Sequence, residues 1–170
     1  MKCSGRDYHC DHSGYGQHAG TSFWLMATGH NCTNYVAWRL IQDGVDPKID
    51  YLHNGGDWAD DARGHHIPVD HTPVPGAVAQ WTSGAGGVSW AGHVAYVEAV
   101  GDGWIQIAED NYSSGPMSIR VIHSTDPQWP SNFVHFPRPA PPAATASPNT
   151  SVLDQDALLR AILPRVWEGA

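Results

Sequence analysis

Gly92-His93-Val94-Ala95-Tyr96-Val97-Glu98-Ala99-Val100 runs through Gly101-Asp102-Gly103 into Trp104-Ile105-Gln106-Ile107-Ala108-Glu109. Two apolar, β-prone runs joined by a short Gly-Asp-Gly connection read as a β-hairpin. With 101–103 as a three-residue loop and Gly103 left-handed, Val100 pairs with Trp104. Glu109 then faces Ala95, one diagonal step from His93 on the same side of the sheet, where neighbours lie roughly 7–8 Å apart and long side chains meet. His93 itself faces Asn111. With a two-residue loop at Asp102-Gly103 the register slips by one, and Glu109 moves to the face opposite His93. The three-residue register is the expected one, because it gives the imidazole a carboxylate.

Upstream, residues 33–43 carry Val36 and Leu40, and again Tyr35, Trp38 and Ile41, on one helical face, with Gly44 where a left-handed cap belongs. Cys32 therefore stands at the start of a helix that Asn31 or Thr33 can cap. A second short helix is expected over 57–63, framed by Gly55-Gly56 and Gly64. Pro73-Val74-Pro75-Gly76 then turns the chain into a strand over 77–81, and 117–123 reads as one more strand. Residues 1–30 look irregular, with Tyr15, Phe23 and Trp24 as aromatic anchors that wrap the domain. Helices first and a meander of strands after them is an α+β arrangement.

The 170 residues, 41% of them apolar, suffice for one real core. The expected division is a catalytic domain over 1–136, an extended linker rich in Pro, Ala, Ser and Thr over 137–150, and a short amphipathic helix or the start of a further module over 151–170. Only nine basic residues and a formal net charge of −8 exclude a nucleic-acid binder, which needs clustered cations to displace counterions. No apolar window is long enough to span a membrane, and Met1-Lys2-Cys3-Ser4-Gly5 has no apolar signal core. Cys3 and Cys10 form a disulfide pair, remain two free thiols, or join His9 and His12 on a metal; the first reading suits an oxidising, extracellular setting and leaves Cys32 as the odd thiol.

A thiol at a helix start, with an imidazole beside it, is the arrangement that lowers a cysteine pKa from about 8.5 into a range of roughly 3.5–7.5. Cys32 is thus the candidate nucleophile, His93 the group that holds the imidazolium and protonates a leaving amine, and Glu109 or Asn111 the group that orients the ring. Charge developing on the carbonyl oxygen needs preorganised donors, and the Cys32 amide with a side chain of His30 or Asn31 is the candidate set. Taken singly, each residue has a plainer account: a buried small hydrophobe for Cys32, one of eleven histidines for His93, a strand-end charge for Glu109 and a turn residue for Asn111.

The strings Asn31-Cys32-Thr33-Asn34-Tyr35-Val36-Ala37-Trp38-Arg39, Gly92-His93-Val94-Ala95-Tyr96-Val97-Glu98 and Ala108-Glu109-Asp110-Asn111-Tyr112 resemble the CHAP family of cysteine, histidine-dependent amidohydrolases and peptidases. The likeness runs from about residue 20 to residue 136, and Trp58 and the 73–81 turn and strand take part in it. It implies a papain-like α+β fold, with the nucleophile at the N-terminus of a helix packed on an antiparallel sheet. It also implies hydrolysis of an amide bond in bacterial peptidoglycan, either between N-acetylmuramic acid and L-alanine or within the peptide stem or bridge. Cys32, His93 and Glu109 match the family's catalytic positions and Asn111 its frequent fourth polar residue. Asn31 stands where many members have Gln, and Ala77 where an Asp is common. Residues 14–20 offer no ladder of carboxylates, so no calcium and no other cofactor is expected.

An extracellular or cell-wall protein follows from this resemblance, secreted or phage-encoded as an endolysin and released at lysis, acting as a monomer. Two rival readings stand beside it. An NlpC-type cysteine peptidase shares the thiol and imidazole but usually opens with Asp-Cys-Ser, which is absent here. A non-catalytic module would use the eight tryptophans to stack on wall glycan. His65, His66 and His71 invite a metal reading, against which a polar loop near the cleft is the simpler account.

Overall fold

The computed structural model describes residues 14–50, 52–112 and 117–139. The proposed Cys3–Cys10 pairing and the helix expected over 151–170 lie outside the described residues. Helix α1 spans Cys32–Gln42 and α2 Trp58–Gly64. Strands β1 (Val69–Asp70), β2 (Val78–Trp81), β3 (His93–Gly101), β4 (Trp104–Glu109), β5 (Ser118–His123) and β6 (Asn132–Val134) form one sheet in the order β1-β6-β2-β3-β4-β5, antiparallel throughout. The expected α+β architecture is what the chain adopts.

Helix α1 begins on the Asn31 cap, whose side-chain oxygen accepts from the Thr33 amide at 3.1 Å, and ends in a left-handed Gly44. The Gly44 amide donates to Ile41 and that of Val45 to Leu40, the paired bonds of a Schellman motif. The single apolar face read from the sequence understates its burial. Tyr35, Val36, Ala37, Trp38 and Leu40 are all buried, as are Thr33 and Asn34. The segment before the helix accounts for this. Tyr15 packs edge-on against Tyr35, with ring centroids 5.2 Å apart, and tilts on Trp38, while Asn34 accepts from the Phe23 amide and donates to Tyr15 Oη and Thr21 O. The aromatic wrap of the early chain thus covers the side of α1 that the sheet does not reach. A large apolar side chain fully buried in this way stabilises by roughly 1.5–3 kcal/mol.

Alternation along the strands separates two apolar clusters. Val78, Val94, Tyr96, Ala108 and Val134 face α1, while Ala79, Trp81, Ala95, Val97, Ile105, Ile107, Ile122 and Phe133 fill the opposite face. His93 and Glu109 fall in step with the second set.

The hairpin reaches this register by a route other than the one expected. Gly101 pairs with Trp104, so the turn is the two-residue Asp102-Gly103, with Gly103 left-handed at φ +70°. That turn alone would set Glu109 on the wrong face. A β-bulge between Val97 and Ala99 adds one residue to β3, so that Val97 pairs with Ile107 and Tyr96 with Ala108. Carried one step further, this register sets Glu109 beside Ala95, as required for contact with His93. The extra residue, Glu98, accepts from Arg39 of α1, which stacks its guanidinium 4.0 Å from the Tyr96 ring.

Candidate functional site

Cys32 is the first residue of α1 and His93 the first of β3, and they meet at the end of the sheet. Cys32 packs against the helix-side cluster; Trp81, whose ring lies 5.6 Å from that of His93, belongs to the other. The site therefore straddles the seam between the two layers. At Gly92 the backbone takes φ +67°, and a Cβ there would lie 2.3 Å from Gly56 Cα, so only glycine lets β3 start this close to the α2 approach.

His93 is 4% exposed, and its Nε2 lies 2.9 Å from Glu109 Oε2. Cys32 is the other group that acts on the ring and favours its charged form. With Nε2 engaged by the carboxylate, Nδ1 is the atom left to face the sulfur. Burial opposes charge on the imidazole, but the hydrogen bonds and attraction of Cys32 and Glu109 outweigh it and raise the His93 pKa from 6.5 to about 9. An imidazolium is thus held at neutral pH beside a thiol whose amide is one of the first-turn donors that a helix leaves without an intrahelical partner.

Glu109 is fully buried and fully partnered. Its Oε1 accepts from Ser118 Oγ at 2.9 Å and from Arg120 Nε, and its Oε2 accepts from Arg120 Nη2 at 3.1 Å as well as from His93. Burial favours the neutral acid, yet His93 and Arg120 together hold the carboxyl below its ordinary value. Arg120 and Ser118 escaped the sequence reading. The signal was available in Ser118-Ile119-Arg120-Val121-Ile122, where one charge points inward from an alternating strand, but it needs the β4–β5 register, in which Glu109 pairs with Ser118. Arg120 also lies 3.9 Å from the Tyr112 ring centroid and donates to Gln128, which in turn donates to Tyr112 Oη.

Asn111 leaves the strand in a left-handed conformation, φ +59°, so it is not the ladder partner of His93 that the sequence predicts. Its place is in the wall of a groove of about 430 Å³, which His93 lines together with Gly87, Val88, Ser89, Gly92 and Tyr112. Asn31 has its side-chain oxygen committed to capping, also accepting from Thr33 Oγ1 at 2.6 Å. His30 Nδ1 lies 2.9 Å from Asp110 Oδ1. His65 lies away from the groove, in a separate depression of about 330 Å³ with Asp46, Lys48 and Asp50.

Residues 21–111 match the sequence profile of the CHAP domain. Among curated proteins, the chain is 40% identical over 104 residues to Probable autolysin SsaALP of Staphylococcus aureus, covering 59% of this chain and 37% of that protein. It is 36% identical over 119 residues to staphylococcal secretory antigen ssaA2 of the same species, covering 68% of this chain and 40% of the relative. The chain thus spans about two fifths of the length of these relatives. An N-acetylmuramoyl-L-alanine amidase from Staphylococcus aureus superposes with a TM-score of 0.56 at 29% identity, covering 65% of this chain and 31% of that one.

Proposed function

The chain belongs to the CHAP domain family, and from that premise we propose that it is a peptidoglycan hydrolase working by a thiol mechanism, with Cys32 as nucleophile, His93 as acid and base, and Glu109 as the group that orients and charges the imidazole. The observation that carries this reading is the chain of contacts from Cys32 through His93 to Glu109 at the start of α1. In the first half-reaction the Cys32 thiolate forms a bond to the carbonyl carbon of a wall amide, and the C–O π electrons move onto oxygen. Collapse of that intermediate breaks the C–N bond, and the His93 imidazolium gives its proton to the departing amine. Water then attacks the thioester while His93 takes a proton from it, releasing a carboxylate and the thiol. The Cys32 amide serves the oxyanion. Asn111 and Tyr112 contact the substrate along the groove.

The scissile bond is the one joining N-acetylmuramic acid to L-alanine, or one within the stem or bridge; the amidase named above supports the first. A site of action outside the cell or in the wall is supported by the relatives that carry the words autolysin and secretory antigen in their names. Burial of Trp24, Trp38, Trp58 and Trp81 counts against a tryptophan-lined binding surface, since these rings fill the core.

Digestion of purified peptidoglycan, with fragments read by mass spectrometry, tests the proposal. Wild type releases fragments bearing a new amine, an L-alanine amine if the bond is the amidase one, and Cys32→Ala releases none. Full release by Cys32→Ala would sink the thiol mechanism.

A further inference from the structure

A second histidine–carboxylate pair stands beside the nucleophile, and the reaction above does not use its carboxyl. Asp110 follows Glu109 directly, is 0% exposed, and accepts on Oδ1 from His30 Nδ1 at 2.9 Å and from the Asn111 amide at 2.8 Å. The Asn31 amide adds a weaker attraction to the same carboxyl. Its Oδ2 is buried with no hydrogen-bond partner. A carboxyl with one oxygen unpartnered in the interior is a poor source of stability, because the cost of removing that oxygen from water is not recovered. Burial accordingly pushes the Asp110 carboxyl above its usual range, against the pull of His30 and the two amides.

What the partnered oxygen does is join two pieces of chain. His30 and Asn31 are the two residues before Cys32; Asn111 and Glu109 flank Asp110 at the end of β4. Along the approach segment the Gly29 amide donates to Ala19, Tyr15 Oη donates to Gly29 O, and the Asn31 side chain turns back to cap α1. The Cys32 sulfur and the His93 ring sit on different layers, and misplacement by a fraction of an ångström between nucleophile and base is costly to rate.

We propose that Asp110 is a positioning residue that, through His30 and the adjoining amides, fixes the segment leading to Cys32 against the strand end carrying Glu109. The assignment rests on the reading of Cys32 and His93 as the reacting pair. Asp110 touches neither substrate nor sulfur and acts only through the chain it holds.

Asp110→Ala removes the acceptor, and Asp110→Asn returns an oxygen in the same place. Asp110→Ala is expected to lower kcat on peptidoglycan by about 10- to 100-fold, with KM within about twofold, when rates are taken per folded molecule well below Tm. The rate at which iodoacetamide alkylates Cys32 falls in parallel, and Asp110→Asn recovers most of both. A purely structural role would lower Tm and leave kcat and alkylation unmoved. Wild-type kcat in folded Asp110→Ala, or no recovery in Asp110→Asn, overturns the proposal. Should Asp110→Ala not fold, His30→Ala reads the same link from its exposed end. Its kcat is expected to fall about fivefold, and an unchanged kcat overturns the proposal equally. Cys32→Ala run alongside separates the two ideas. An active Cys32→Ala defeats the underlying mechanism, whereas an inactive one with fully active Asp110→Ala defeats only the positioning role.

Discussion

Two buried carboxyls, Glu109 and Asp110, are neighbours in sequence, each within 2.9 Å of a histidine, yet their acidities move in opposite directions. Glu109 is held down and Asp110 is pushed up. Burial acts on both the same way. The difference is Arg120, which places two donors on Glu109, while among the described residues nothing donates to Asp110 Oδ2. Alternation along the strand explains why the cation serves only one of them, since Arg120 shares the face of Glu109 and adjacent residues point to opposite sides. Two buried carboxyls next to a histidine therefore need not share one acidity. The direction of the shift follows the donors on the remaining lone pairs: Arg120 serves Glu109, and nothing among the described residues serves Asp110 Oδ2.

The sharpest contrast between the pairs comes from removing their histidines. His93→Ala is expected to cut kcat by about 10³-fold, within the range for loss of a general acid–base group, against the roughly fivefold loss for His30→Ala. Initial rates of amine release from labelled peptidoglycan measure both, and equal losses would erase the distinction.

Glu109→Gln comes next, with an expected loss of about 10²-fold in kcat and a change in pH profile. Glu109 helps raise the His93 pKa to about 9, so in wild type kcat/KM holds through neutral pH and falls as pH rises through that value and the imidazolium loses its proton. Removing the carboxylate lowers the His93 pKa and moves this alkaline limb to lower pH. A limb that stays in place would show that Glu109 does not set the charge of His93.

Arg120→Met tests the comparison directly by making Glu109 resemble Asp110. The Glu109 carboxyl pKa is expected to rise, read by ¹³C NMR of the side-chain carboxyl during titration, and kcat to drop about tenfold. A Glu109 pKa that does not move would mean that His93 alone sustains the charge. The smallest expected effect is at Trp90, 79% exposed in the loop that supplies Val88, Ser89 and Gly92 to the groove. Trp90→Ala is expected to raise KM two- to fivefold with kcat unchanged, as an aromatic contact made equally in ground and transition states would.

Much of this arrangement was legible in the residues. The cap at Asn31, the helix behind Cys32, the left-handed Gly44 and the strands on either side of Asp102-Gly103 follow from local chemistry and appear as expected. What escaped depends on long-range pairing. Strands of two and three residues at Val69–Asp70 and Asn132–Val134 are too short to show a period, and they exist only because β6 pairs with both β1 and β2. Arg120 needs the β4–β5 register to be placed beside Glu109. Burial all round α1 needs the early chain to be folded over it. Asp110 was hidden for the same reason, since its task is a contact with His30, 80 positions away.

The bulge at Glu98 has a consequence for how this hairpin tolerates change. It works like a second frameshift that restores the reading frame after a first, so the tip and the end carrying His93 and Glu109 are set by separate local choices. Rebuilding the Asp102-Gly103 tip without altering its length leaves the far end in phase. Deleting Glu98 alone does the reverse: the tip stays intact, and every side chain from Val97 back to His93 is turned to the other face. An indel at the tip is compatible with an aligned His93 and Glu109 only when matched by a compensating one near residue 98.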